Sequence, residues 1–107
     1  MHYRTSVPNP KSDPWFVYIA RCADDSLYTG IARDVTARIA AHNAGKGARY
    51  TRGRTPVVVA ATRRCANKGD ALRLEFAVKA LSRTEKLQLT GPRRFATFAR
   101  RFLAGLC

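Results

Sequence analysis

The sequence predicts an α+β fold: a small three-stranded antiparallel sheet flanked by helices, with a C-terminal amphipathic helix packed on it. Three observations carry this. Residues 15–21 and 27–31 alternate as strands and are separated by a turn holding adjacent aspartates, Asp24 and Asp25. A β-branched apolar run at 57–62 supplies a third strand. Helical periodicity fills most of what remains. At 107 residues the chain is one domain with a modest core. Residues 1–14 read as a flexible tail, 15–90 as the body and 91–107 as the closing helix.

The tail carries Pro8, Pro10 and Pro14 and no periodic pattern, and His2 belongs to it. In the first strand Trp15, Val17 and Ile19 share one face, and Phe16, Tyr18 and Ala20 the other. A three-residue loop, Ala23 to Asp25, pairs Ala20 with Tyr28 and brings Tyr18 and Tyr28 to one face; a two-residue loop would part them. Asp34 is an N-cap for a helix over 35–44, which Gly45 and Gly47 end. At about 100° per residue, Val35, Arg38, Ile39 and His42 fall within about a third of its circumference. Val35 and Ile39 should pack on the sheet, so Arg38 and His42 face protein. Residues 46–56 form a basic loop with one aromatic, Tyr50. The third strand reads as buried, Asp70 caps the next helix, and Ser82 with Glu85 has capping-box spacing for another. After Gly91 and Pro92, Phe95, Phe98 and Phe102 make the apolar stripe of the last helix.

Lys and Arg number 20 against 7 acidic residues, a net charge of +13, and most of it is arginine. Such a balance points to a polyanion, nucleic acid first, because the arginine fork suits phosphate. No apolar run approaches a membrane span, and the N-terminus lacks the apolar core of a signal peptide. Cys22, Cys65 and Cys107 are widely spaced with no CxxC pair, which disfavours a zinc site or disulfide framework and fits reduced thiols in a cytoplasmic protein. Glu75 is one of only two glutamates, and on the helical wheel it sits with Ala71, Leu72 and Val78. A carboxylate in an apolar arc needs a partner, either an arginine or a divalent metal. Together Tyr18, Tyr28, Arg38, His42 and Glu75 offer phenol, guanidinium, imidazole and carboxylate, the groups that phosphodiester cleavage uses to activate water and stabilise phosphate charge.

Val17-Tyr18-Ile19 and Tyr28-Thr29-Gly30 resemble the two half-motifs of the GIY-YIG nucleases. Arg38 stands where that family has its catalytic arginine, His42 matches the histidine or tyrosine one turn later, and Glu75 the metal-binding glutamate. The likeness spans about residues 15–89 and is closest to small single-domain bacterial members; the ARYTRGRTP segment also resembles branched-DNA resolvases. The half-motifs read VYI and YTG here, and Ile31 stands where some members have lysine. The resemblance implies a DNA endonuclease, of a kind used in DNA repair, with Tyr18 as general base or relay and Tyr28 orienting water or phosphate. It implies Arg38 on the phosphorane, His42 assisting proton transfer, and Glu75 holding one Mg²⁺ or Mn²⁺ ion. Gly30 would let the backbone turn tightly beside the site.

Lys46, Arg49, Arg52 and Arg54 surround Tyr50, a candidate nucleic-acid surface on which Tyr50 can stack a base. The DNA form, single-stranded, duplex or branched, is left open, as are RNA and a protein partner for targeting. The rival reading is a catalytically weak or inactive DNA- or RNA-binding module on the same fold.

Overall fold

A computed structural model describes residues 13–104; the rest of the expected tail, His2 and Cys107 lie outside it. Two strands open the fold, β1 (Trp15–Arg21) and β2 (Leu27–Ala32), followed by α1 (Val35–Asn43). A single 3-10 turn at Arg49–Thr51 precedes β3 (Val58–Cys65), and α2 (Lys68–Lys79), α3 (Arg83–Gln88) and α4 (Pro92–Leu103) complete the chain. The sheet is antiparallel throughout, in the order β2-β1-β3.

The hairpin adopts the expected register, with Ala20 opposite Tyr28 and Tyr18 opposite Gly30. Its turn is closed by Cys22 N–H donating to Ser26 O at 2.9 Å, and Asp25 takes the left-handed conformation with φ of 69°. The central strand β1 separates two cores. Val17 and Ile19 pack with Ala71, Leu74 and Val78 of α2 and with Phe95 and Ala99 of α4. Tyr18 and Ala20 face the other way, against Val35 and Ile39 of α1 and against Val57. Burying a residue such as Phe95 contributes about 1.5–3 kcal/mol.

Local signals set most helix ends. Asp34 Oδ1 accepts from Ala37 N–H at 3.0 Å, and Gly45 ends α1 with φ of 79°. Ser82 and Glu85 form the reciprocal capping box. Two expectations are corrected. Asn67, not Asp70, caps α2: its side chain accepts from Asp70 N–H at 2.8 Å, which draws Asp70 into the first turn. The third strand is not buried but lies on a sheet edge, with Val58 and Val59 56% and 42% exposed, and it runs on through Arg63 and Arg64, which an edge tolerates. The buried member of that run is Val57, just before the strand. Among the described residues no helix is long and apolar enough to cross a membrane.

Candidate active site

The period of β1 and the hairpin register send Tyr18 and Tyr28 to the α1 side of the sheet. Their ring centroids lie 6.2 Å apart. His42 comes down from the last turn of α1, fully buried, with its ring centroid 5.3 Å from that of Tyr28. Tyr18 Oη and His42 Nε2 are 2.8 Å apart. Arg38, one turn earlier, is half-buried and close enough to act on both groups electrostatically.

Gly30 serves this site in a different way from the one expected. It lies within β2 opposite Tyr18, and a Cβ there would come 2.6 Å from Tyr18 Oη. The glycine leaves room for the phenol; no tight turn is involved.

Burial pushes the Tyr18 phenol up to about 12, and the neighbouring Tyr28 adds to this, while Arg38 opposes it. Burial and the Arg38 charge hold His42 below its ordinary 6.5. The imidazole is therefore neutral at pH 7 and able to accept a proton. A histidine whose folded pKa is depressed binds fewer protons than in the unfolded chain, so its burial costs stability as pH falls below 6.5 toward the folded value. We expect the melting temperature to drop from pH 7 to pH 5 and His42→Gln to flatten that slope, read by thermal scans across the interval.

Glu75 is on α2, which packs on the opposite face of the sheet. Its side chain is 17% exposed, and Oε2 lies 3.2 Å from Lys79 Nζ one turn on. Its ion-pair partner is thus a lysine of the same helix, in place of the expected arginine. Leu72, expected beside it in the apolar arc, is 46% exposed. The Glu75 charge raises the Tyr18 pKa slightly, the smallest of the causes. Among the described residues no three His, Cys, Asp or Glu side chains cluster as a metal site. One carboxylate does fit an ion that keeps most of its waters and is completed by substrate phosphate.

The basic loop is anchored rather than free-standing. Asn43 Nδ2 donates to Val57 O at 3.0 Å and Asn43 Oδ1 accepts from Val57 N–H at 2.6 Å. Ala23 N–H donates to Arg54 O at 2.7 Å, tying the loop to the hairpin tip. Tyr50, 42% exposed, stacks on Tyr28 with centroids 5.8 Å apart. The Arg54 guanidinium lies 4.1 Å from the Tyr50 ring centroid, and its Nε is 3.0 Å from Asp24 Oδ2, so Arg54 is engaged within the protein. Lys46, Arg49 and Arg52 are exposed.

Two functional candidates escaped sequence reasoning. Thr51 is fully buried, its Oγ1 2.7 Å from His42 Nδ1. Gly47 lies so close that a Cβ would overlap His42 Nδ1. Their one signal is that both are small and uncharged within a cationic run.

A family profile for the GIY-YIG catalytic domain matches residues 14–88. A UPF0213 protein of Staphylococcus haemolyticus is 50% identical over 74 residues, covering 69% of this chain and 90% of that one. Another, of Natronomonas pharaonis, is 49% identical over 74 residues and covers 69% and 87%. The solution NMR structure of a UPF0213 protein from Bacillus halodurans is similar at 46% identity and a TM-score of 0.48, covering 79% of this chain and 95% of that one. The chain belongs to the GIY-YIG family, a nuclease superfamily, alongside these small UPF0213 proteins.

Proposed function

We propose that the protein is a divalent-metal-dependent endonuclease that hydrolyses DNA phosphodiester bonds with a water molecule activated through Tyr18. The observation that carries the reading is the buried Tyr18–His42 pair, 2.8 Å apart, beside Tyr28 and Arg38. A lone phenol with a pKa near 12 is a scarce base at neutral pH. A phenol that can pass its own proton to a neutral imidazole is not limited in that way. The water proton moves to Tyr18 Oη as the Tyr18 proton moves to His42 Nε2. The water oxygen bonds to phosphorus, and the bond to the 3′ oxygen breaks with its electron pair on oxygen. Arg38 supplies positive charge to the pentacoordinate phosphorane, and Tyr28 orients the water or the phosphate. GIY-YIG nucleases generally use divalent metals, and Glu75 would hold one Mg²⁺ or Mn²⁺ ion, whose chemistry is charge neutralisation at the departing oxygen.

One observation favours the binding-only alternative, in which the fold holds nucleic acid without cutting it: Lys79 occupies the Glu75 carboxylate. End-labelled single-stranded, duplex and branched DNA incubated with Mg²⁺, Mn²⁺ or EDTA separates the two readings. Metal-dependent nicking supports the nuclease and ranks its substrates. Binding with no nicking under any condition leaves the binding module.

The exposed cations of the loop carry phosphate affinity under either reading. Arg49→Ala should weaken binding about equally on all sequences and lower the slope of log affinity against log salt by about 1. Titrations at several salt concentrations measure this; an unchanged slope would remove Arg49 from the surface.

A further inference from the structure

We infer that Thr51 is a positioning residue: it fixes His42 in the tautomer that takes the Tyr18 proton, so the basic loop sets the direction of proton transfer at the site. The inference deepens the nuclease reading and rests on it for its catalytic consequence.

The available protons fix the tautomer. A threonine hydroxyl has one. Thr51 Oγ1 lies 2.9 Å from the carbonyl oxygen of Ala48, which has none, so the hydroxyl donates there. Toward His42 Nδ1, 2.7 Å away, it can then only accept, which places the ring proton on Nδ1. A neutral imidazole with Nδ1 protonated presents a lone pair at Nε2. That lone pair faces Tyr18 Oη at 2.8 Å, and the phenol donates to it.

The opposite tautomer is poorer. Thr51 would have to turn its proton away from Ala48 O and toward Nδ1, so three hydrogen bonds along the chain would become two. No water is needed to complete the first arrangement, because His42 and Thr51 are both fully buried. Gly47 closes the remaining side: a Cβ there would overlap Nδ1 and lie 2.8 Å from the His42 Cα. The loop therefore presses a glycine and a hydroxyl onto the ring edge that does not face Tyr18.

The 3-10 turn makes this possible. Thr51 N–H and Oγ1 both donate to Ala48 O, at 3.1 and 2.9 Å, so the backbone that forms the turn also aims the hydroxyl. The same stretch displays Arg49 and Tyr50 outward.

The test compares the parent with Thr51→Val, which keeps shape and loses the hydroxyl, and Thr51→Ser, which keeps the hydroxyl. Nitrogen-resolved NMR of the His42 imidazole reads the tautomer without any turnover. The parent should show Nδ1 protonated and Nε2 bare, and Thr51→Val a mixture. Single-turnover cutting at saturating DNA should fall on the order of 100-fold in Thr51→Val with affinity unchanged. Thr51→Ser should recover the rate to within about threefold of the parent. The acid limb of the rate profile should move in Thr51→Val, since the acceptor for the His42 Nδ1 proton is gone while Arg38 and Tyr28 still lie beside the Tyr18–His42 pair and Glu75 still acts on Tyr18 through its charge. A parent ring protonated at Nε2 overturns the assignment, as does Thr51→Val cutting at the parent rate. If the valine variant does not fold, the parent spectrum decides alone. If the parent never cuts, the nuclease reading fails while the spectrum still decides the tautomer.

Discussion

Glu75→Gln should abolish metal-dependent nicking, by roughly 1000-fold in rate, while leaving salt-dependent DNA binding intact. Glutamine keeps the shape of the side chain and removes the anionic oxygen that an ion with few protein ligands cannot do without. The loss should be large because, among the described residues, no group of three His, Cys, Asp or Glu side chains stands ready to hold an ion in its place. Lys79 sharpens the experiment. Its ammonium pairs with Glu75 at 3.2 Å, and an arriving cation must displace it. Lys79→Ala should therefore lower the metal concentration needed for half-maximal nicking, in the direction opposite to Glu75→Gln. The pair is partly exposed and on one helix, so breaking it should cost little stability, about 0.3–0.5 kcal/mol. Metal titrations of nicking by the three proteins give the answer. Parent-level cutting by Glu75→Gln would mean that no ion works through this carboxylate.

What could be read from the sequence follows the range of the forces involved. The hairpin was legible because strand period and loop length together fix which side chains share a face, and Tyr18 and Tyr28 follow from that. The α1 face was legible for the same reason: Val35 and Ile39 on the sheet leave His42 no route to solvent. The start of α2 was ambiguous, since Asn67 and Asp70 are both good caps three residues apart, and only the turn that forms decides between them. The third strand misled because β-branched composition reports fit to a pleated surface without saying whether the strand is central or at an edge. Lys79 lies one helical turn from Glu75, a spacing the sequence offers, and it takes the ion-pair place expected of an arginine because no arginine stands at that spacing on the Glu75 face. Thr51 and Gly47 were out of reach. Their partner is a ring in another element, and the cations around them say surface where these two residues are interior.

Tyr18→Phe should reduce the cutting rate at saturating DNA by about 100- to 10,000-fold, the range over which a positioned proton-transfer group acts. At pH 7 a phenol with a pKa near 12 is ionised in only about one molecule in 100,000. Tyr18 therefore works as a conduit, taking one proton from water as it gives another to His42, and phenylalanine can do neither. The folded state should suffer less than the chemistry. Removing the hydroxyl leaves His42 Nε2 as a buried acceptor without its donor, a cost of about 1–3 kcal/mol. The melting temperature and DNA affinity then identify a variant that still folds and binds. Gly30→Ala is the companion test, because its Cβ would strike the phenol without altering its chemistry. It should displace Tyr18 from His42 and lose rate together with stability, whereas Tyr18→Phe loses mainly rate. Tyr28→Phe keeps the Tyr18–His42 pair and should fall far less than Tyr18→Phe. If Tyr18→Phe instead cuts within a few-fold of the parent, water is activated by some other group, and the buried phenol–imidazole pair is packing alone.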